Sequence, residues 1–376
     1  MTRPMTQTVV IAAGGTGGHM FPALALAREV QDRGQDVILA CDARGARYVG
    51  PDLTYHEIRA GSPTGHPLRR LQGVARLGLG LTQALALLRR LRPAAVAVFG
   101  GYASVPVGVA ARLLRIPLLV HEQNAVLGRA NRLIARKAAV LALTFADTQG
   151  AAGARRAQSV VTGNPVRPEV VALRDQAYEA PARDGPFELV VVGGSQGARI
   201  FSEVLPAALA CLPRATRARI RLTQQCRPED LERVAGAYAG LGFAADLRSF
   251  YDDLPERLAR AHLVISRSGA SSVAELLVLG RPALLVPYRF AADDHQRANA
   301  QAVVQTGAGW LIEETALDAE RLAARLSACL DQPQELADMA ARAHALGRPD
   351  AARALADAVE SLMSPSVANL GLEALA

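Results

Sequence analysis

The stretch GGTGGH (14–19) places four glycines, a threonine and an imidazole directly after the apolar run TVVIA (8–12). Glycine lets a ligand approach the backbone closely. A helix starting beyond such a turn aims its N–H groups and positive dipole end at an anion. An imidazole there, His19, can take up a proton near neutral pH. The stretch therefore reads as a phosphate cradle with a candidate base beside it, or as a tight strand-to-helix turn. It is not a Walker A loop, since no G-K-[ST] follows, and Met20 breaks G-x-G-x-x-G. A second turn of the same make, GGSQGAR (193–199), closes the run ELVVVG (188–193), and the pairs Gly14-Gly15 and Gly193-Gly194 stand 179 positions apart. Two such turns at matching places favour a ligand held at the carboxyl ends of strands in two domains.

His121, in HEQN, comes at the end of the apolar run PLLVH (117–121). One of the two histidines could be a base and the other structural. The segment SRSGASSVAELLVLGRPALLVPY (266–288) reads as strand, small-residue turn, helix, glycine stop and strand. Ser271 or Ser272 is expected to cap that helix. Glu275, about one turn in, could accept two hydrogen bonds from a ribose or simply complement the helix dipole. YRFAADDHQRANA (288–300) gathers Asp293, Asp294, His295, Gln296 and Asn299 at a helix start, a polar cluster suited to sugar hydroxyls. No D-x-D occurs, so nothing suggests a metal-held diphosphate.

The elements that must carry these groups alternate. Apolar runs read as buried strands at 8–12, 36–40, 95–99, 117–121 and 139–143, then at 188–193, 220–222, 262–266 and 283–287, with helical periodicity between most of them. This is the pattern of parallel sheets covered by helices on both faces. A Pro-, Gly- and charge-rich break at 163–186 reads as a linker, and beyond it the opening strand–turn–helix pattern recurs. The expectation is an α/β chain of two Rossmann-like domains, 1–165 and 166–348, with a last helix (349–364) completing the first.

Charge separates the halves. Residues 1–165 hold 20 Lys/Arg against 8 Asp/Glu, a balance of +12; the remainder holds 22 against 27, a balance of −5, within the overall +7. No acid lies between Glu57 and Glu122, a span with nine arginines. Such a field favours an anionic partner: a membrane surface, a nucleic acid or a pyrophosphate. Arginine-heavy usage (Lys137 is the single lysine) accounts for part of it. The unbroken apolar runs fall short of the ~18 residues that span a bilayer. No signal-peptide pattern opens the chain, which is expected to stay in the cytoplasm. Cys41, Cys211, Cys226 and Cys329 are scattered and suggest neither disulfides nor zinc.

GGTGGH, GGYASVP, HEQN, GNPVR, GGSQGAR, SRSGASSVAE and ADDHQ…NA occur in that order over residues 8–360. Together they resemble the bacterial UDP-N-acetylglucosamine:undecaprenyl-pyrophosphoryl-N-acetylmuramyl-pentapeptide N-acetylglucosaminyltransferases of peptidoglycan synthesis, which make lipid II from lipid I. The resemblance implies a GT-B fold, two Rossmann-like domains whose parallel sheets face across an interdomain cleft. Donor UDP-GlcNAc would bind mainly the second domain, and the lipid acceptor the first. By motif, Thr16, Gly17, Gly18, Asn124, Arg167, Ser195, Tyr251, Ala270, Ser271, Ser272, Glu275 and Gln296 would bind the donor. Ser195 would take its diphosphate, the backbone of Tyr251 its uracil, Glu275 its ribose and Gln296 its sugar hydroxyls. His19 would be the catalytic base. Gly14, Gly15, Gly100, Gly101 and Tyr102, helped by His121 or Glu122, would cradle the acceptor pyrophosphate.

The resemblance further implies inverting transfer with no cofactor or metal, and a peripheral location on the cytoplasmic face of the plasma membrane. Its partners would be lipid I, an anionic membrane surface and other cell-wall synthesis proteins, not nucleic acid. The segment 68–93 suits the membrane contact, although Leu77, Leu81, Leu85 and Leu88 also read as a core stripe. Tyr251 stands where the family often has an aliphatic residue, and His295 where some members have glutamine. The loop at 61–70 matches the family poorly. The competing readings are a UDP-GlcNAc epimerase, a non-catalytic lipid-linked-sugar binder and a nicotinamide-dependent oxidoreductase. The missing third glycine argues against the last.

Overall fold

A computed structural model describes residues 6–62, 66–154, 156–194 and 197–364. The described residues form two compact units: those from 6 to 166 together with those from 350 to 364, and those from 167 to 349.

The first unit is built on a seven-stranded parallel sheet. Its strands are β1 (Thr8–Ala12), β2 (Asp36–Cys41), β3 (Thr54–Glu57), β4 (Ala95–Val98), β5 (Leu118–Glu122), β6 (Val140–Leu143) and β7 (Gln158–Val161), in spatial order β3-β2-β1-β4-β5-β6-β7. Successive residues of a strand point to opposite faces, and each face here has its own core. Val9, Ile11, Ala95 and Ala97 pack with Leu26 of helix Gly17–Asp32 and with Leu355 and Val359 of helix Ala351–Met363. Val10, Ala12, Val96 and Val98 pack with Leu88, Val107 and Ile134 of helices Pro67–Leu91, Ser104–Leu113 and Arg129–Ala135. The last helix is tied down by charge as well: Arg33 meets Asp357 at 2.7 Å and Glu360 at 2.9 Å.

The second unit has a six-stranded parallel sheet of β8 (Phe187–Val192), β9 (Ile220–Gln225), β10 (Ala245–Arg248), β11 (Leu263–Ser266), β12 (Ala283–Leu285) and β13 (Trp310–Leu311), ordered β10-β9-β8-β11-β12-β13. In both sheets the strand order reverses next to the first strand, between β1 and β4 and between β8 and β11. In doubly wound sheets such a reversal opens a crevice at the carboxyl ends of the strands.

The apolar runs located the inner strands to within one or two residues, β9 apart, which runs on from Leu222 to Gln225. They missed β3, β7, β10 and β13, the outermost strand of each sheet edge. An edge strand is only partly covered and need not be apolar: Thr54–Glu57 reads TYHE and is largely exposed.

The helix Pro67–Leu91 differs from expectation in another way. An 18-residue window within it has a mean hydropathy of 1.3, enough by length and composition alone to cross a bilayer. One side is nevertheless built into the first unit through Gly73, Gly80, Ala84, Leu87 and Leu88. At Gly80 a β-carbon would run into the carbonyl of Arg59, so this packing requires glycine.

Candidate functional site

In the first unit the two glycine motifs sit side by side at the reversal, because β1 and β4 are neighbours. The backbones touch: a β-carbon on Gly101 (φ +76°) would lie 2.6 Å from the Gly14 carbonyl oxygen, and one on Gly14 would lie 2.7 Å from Ala103 Cβ. The Ser104 hydroxyl is within hydrogen-bond reach of the carbonyls of Gly100 (2.6 Å) and Ala12 (3.0 Å), clamping both turns. Tyr102 lies half-buried in the second turn. His19, in the first turn of its helix, rests its ring on Gly100, where a β-carbon would come within 3.2 Å of Nε2. Its Nδ1 is 3.3 Å from Thr16 Oγ1. Thr16 ends the turn, and Gly17 and Gly18 open the helix, where backbone N–H groups have no partner within the helix itself.

His121 and Glu122 correct the sequence reading. His121 lies inside β5, fully buried, and is neither on a rim nor free to act as a base. Its Nε2 donates to the Gly163 carbonyl (3.0 Å) and its Nδ1 accepts from Gln123 Nε2 (3.0 Å), which commits both ring nitrogens. Glu122 is 1% exposed. Its Oε1 accepts from the backbone N (3.0 Å) and Nδ2 (3.1 Å) of Asn124, and its Oε2 from Gly128 N and Asn131 Nδ2 (both 2.9 Å). A carboxylate so filled shapes the loop that presents Asn124 and does not reach out to an anion.

Burial pushes the His121 pKa down to about 4, against its hydrogen bond to the Gly163 carbonyl, which raises it; the nearby His19 lowers it further. The unfolded chain binds this proton near pH 6.5 and the folded chain does not, so stability is lost as pH falls from about 6.5 to about 4. His121→Gln is expected to flatten that part of the profile. Denaturant midpoints at pH 7 and pH 5 check this, and an equal drop in both proteins would contradict it.

In the second unit, Gly193 lies against the start of helix Arg199–Cys211, where a β-carbon would collide with the backbone N of Ala198. Gly194 and Gly197 have φ of +78° and +67°, which favours glycine at both. Gln225 at the end of β9 accepts from Gly193 N at 3.2 Å. Ser195 lies outside the described residues.

The helix Ala270–Leu279 follows β11, and its N-cap is Gly269, in extended conformation. Ser271 and Ser272 are therefore its second and third residues and cap nothing. A capping side chain must stand before the first helical turn. Ala270 is buried, and Ser271 Oγ is buried with no partner among the described residues. Glu275 forms a bidentate ion pair with Arg167, Nε to Oε1 at 2.7 Å and Nη2 to Oε2 at 2.9 Å. Burial alone would lower the Arg167 pKa; the hydrogen bonds and charge of Glu275, with Glu169 and Glu256, outweigh it and raise it.

Gln296 is knitted to the same turn. Its carbonyl accepts from Ser268 Oγ at 2.7 Å, its Oε1 accepts from Tyr288 N at 2.9 Å, and Asn299 Nδ2 donates to the Ser268 carbonyl at 3.0 Å. Just before it, Asp293 and Asp294 both have left-handed backbone, φ 52° and 53°, a strained pair of non-glycine residues of the kind that clusters at functional sites. The Tyr251 side chain is buried, its hydroxyl bonded to the carbonyls of Asp246 (2.7 Å) and Gln224 (3.2 Å) and its ring packed against Arg257. Only its backbone is left for a ligand.

Several residues escaped the sequence reading. Asp42 and Arg44 follow β2 and contact the first glycine turn; a polar residue directly after a strand was the available signal. Arg267, 8% exposed, joins the carbonyls of Val286 and Pro287 to Glu314 Oε2 and fixes the loop carrying Tyr288. A cavity of about 540 Å³ in this unit, lined by Trp310, Arg325 and Gln301 among others, includes none of the residues singled out above.

Comparison with known proteins matches residues 9–142 to the glycosyltransferase family 28 N-terminal domain and residues 188–355 to its C-terminal domain. The UDP-N-acetylglucosamine–N-acetylmuramyl-(pentapeptide) pyrophosphoryl-undecaprenol N-acetylglucosamine transferase of Paramagnetospirillum magneticum is 54% identical over 358 residues, covering 94% of this chain and 96% of that protein. The crystal structure of Acinetobacter baumannii MurG superposes with a TM-score of 0.78 at 30% identity, covering 95% of this chain and 99% of that one. The UDP-GlcNAc 2-epimerase of Neisseria meningitidis superposes with a TM-score of 0.65 at 13% identity, covering 93% and 98%, a likeness of fold alone.

Proposed function

We propose that this chain, which belongs to glycosyltransferase family 28, moves N-acetylglucosamine from UDP-GlcNAc to the 4-hydroxyl of the N-acetylmuramyl-pentapeptide carried on undecaprenyl pyrophosphate. The observation that carries this is 54% identity to a transferase of that name along 94% of the chain. The donor is held by the second unit's turns with Glu275 and Gln296, and the acceptor pyrophosphate by the first unit's paired glycine turns.

The transfer is a direct displacement. The acceptor hydroxyl attacks the anomeric carbon, its proton passes to His19, the bond to UDP breaks, and the configuration inverts. Negative charge grows on the departing diphosphate. The start of helix Arg199–Cys211, entered through the Gly193–Gly197 turn and Ser195, is the group we assign to meet it, so no metal is required in this reading.

The membrane reading draws on the exposed side of helix Pro67–Leu91. Leu68, Leu71, Val74 and Leu79 are 50% or more exposed there, and Arg69, Arg70 and Arg76 are exposed around them. An apolar strip edged with arginines suits insertion at the surface of an anionic leaflet. Leu71→Ser with Val74→Ser is expected to weaken sedimentation with anionic lipid vesicles about tenfold or more, from the apolar burial lost. Turnover on a soluble short-chain acceptor should not change. Unaltered vesicle binding would remove this face from the account.

The function is tested with the donor alone and with the acceptor. Binding of UDP-GlcNAc in preference to NADH excludes the oxidoreductase, and UDP released only when acceptor is present excludes the epimerase and the passive binder. Conversion of UDP-GlcNAc to its 2-epimer without acceptor would overturn the proposal.

A further inference from the structure

Asp42 stands directly beyond β2, and its carboxylate reaches the first glycine turn. Oδ1 accepts from Gly15 N at 3.1 Å and from Gly45 N at 2.9 Å. Oδ2 accepts from Arg44 Nη2 at 3.0 Å and, at the limit of reach, from Nε at 3.4 Å. A β-carbon on Gly15 would lie 3.0 Å from Nη2, so the guanidinium rests on the turn itself. The Arg44 side chain is 66% exposed and that of Asp42 15%.

An acid beside an anion cradle works against the ligand unless its charge is answered, and this one also occupies the Gly15 N–H. Burial would raise the Asp42 pKa, but the hydrogen bonds from Gly45, Arg44 and Gly15 outweigh it and lower it, so the carboxylate is charged at neutral pH. Arg44 answers both costs. Its charge neutralises Asp42, and a guanidinium carries five N–H donors in a fixed fork. With Nε and Nη2 turned to Asp42, Nη1 is left without a partner among the described residues, 3.9 Å from where a β-carbon on Gly15 would lie.

We propose that Arg44, fixed by Asp42, is a direct cationic ligand of the acceptor's pyrophosphate, and that Asp42 is the positioning residue for both the guanidinium and the glycine turn. This rests on the acceptor reading given above. Neither residue belongs to the motifs that carry the family resemblance.

The test is steady-state kinetics on a soluble short-chain acceptor, without membrane, with inorganic pyrophosphate as a competing probe. Arg44→Ala should raise the acceptor KM about tenfold, the loss of one charge-assisted contact, with donor KM and kcat within about twofold. Inhibition by pyrophosphate should weaken in parallel. Arg44→Lys should recover part of the loss, since lysine keeps the charge but not the fork. Asp42→Asn, which keeps an acceptor for the backbone but frees Arg44, should also raise the acceptor KM while the thermal midpoint stays near wild type. An unchanged acceptor KM in Arg44→Ala, or equal rises for both substrates, overturns the inference and leaves the acceptor reading standing. Wild-type protein with no acceptor-dependent turnover overturns both.

Discussion

Replacing His19 by alanine is expected to lower turnover by roughly 10²–10⁴-fold, the usual worth of a positioned general base, with little change in donor affinity. The expectation follows from where the ring is held. His19 lies in the first turn of its helix, with Cδ2 and Nε2 close to Gly100 and Nδ1 near the Thr16 hydroxyl. That position follows from glycine at 100, whose φ of +91° and missing side chain leave room for the ring. The other candidate base is excluded by its partners, since both His121 nitrogens are bonded within the core. Turnover and donor affinity must be measured on the same variant. Loss of both to the same extent would make His19 a binding residue, and retention of turnover would remove it from the chemistry.

Glu275→Ala is expected to raise the donor KM about 100-fold, the loss of two hydrogen bonds to a charged group, with a smaller effect on kcat. In the structure both carboxylate oxygens are engaged by Arg167. A ribose diol would therefore meet a carboxylate already oriented by a bidentate partner. Removing the acid also strands a half-buried guanidinium, so some loss of stability accompanies the kinetic effect. Glu275→Gln separates the two: it keeps one acceptor oxygen while breaking the ion pair. A donor KM that stays at the wild-type value in both variants, with only the melting temperature falling, would assign the pair to the scaffold alone.

Much of this was legible in the sequence because buried parallel strands are written as unbroken apolar runs. VVIA, VAV and LLV could be placed almost to the residue. The glycine turns were legible for a related reason, since positive φ at Gly15, Gly101, Gly194 and Gly197 leaves few alternatives to glycine. What stayed hidden depends on long-range packing. QSVV (158–161) and ADLR (245–248) are strands only because a neighbour offers its edge. The inward turn of Glu122 depends on Asn131 and Gly128, which reach it from the next helix. The serines at 271 and 272 read as caps until Gly269 is seen to hold the N-cap position. Asp42 gave no periodic signal at all, and its role emerges only once β2 is laid beside β1.

The most direct measurement supplies UDP-GlcNAc and a short-chain undecaprenyl-pyrophosphoryl-N-acetylmuramyl-pentapeptide analogue and follows the products by mass and NMR. One N-acetylhexosamine joined to the muramyl 4-hydroxyl in β-linkage, with one UDP released per product, is the predicted result. An α-linked product, or UDP release that does not depend on the acceptor, would contradict the account.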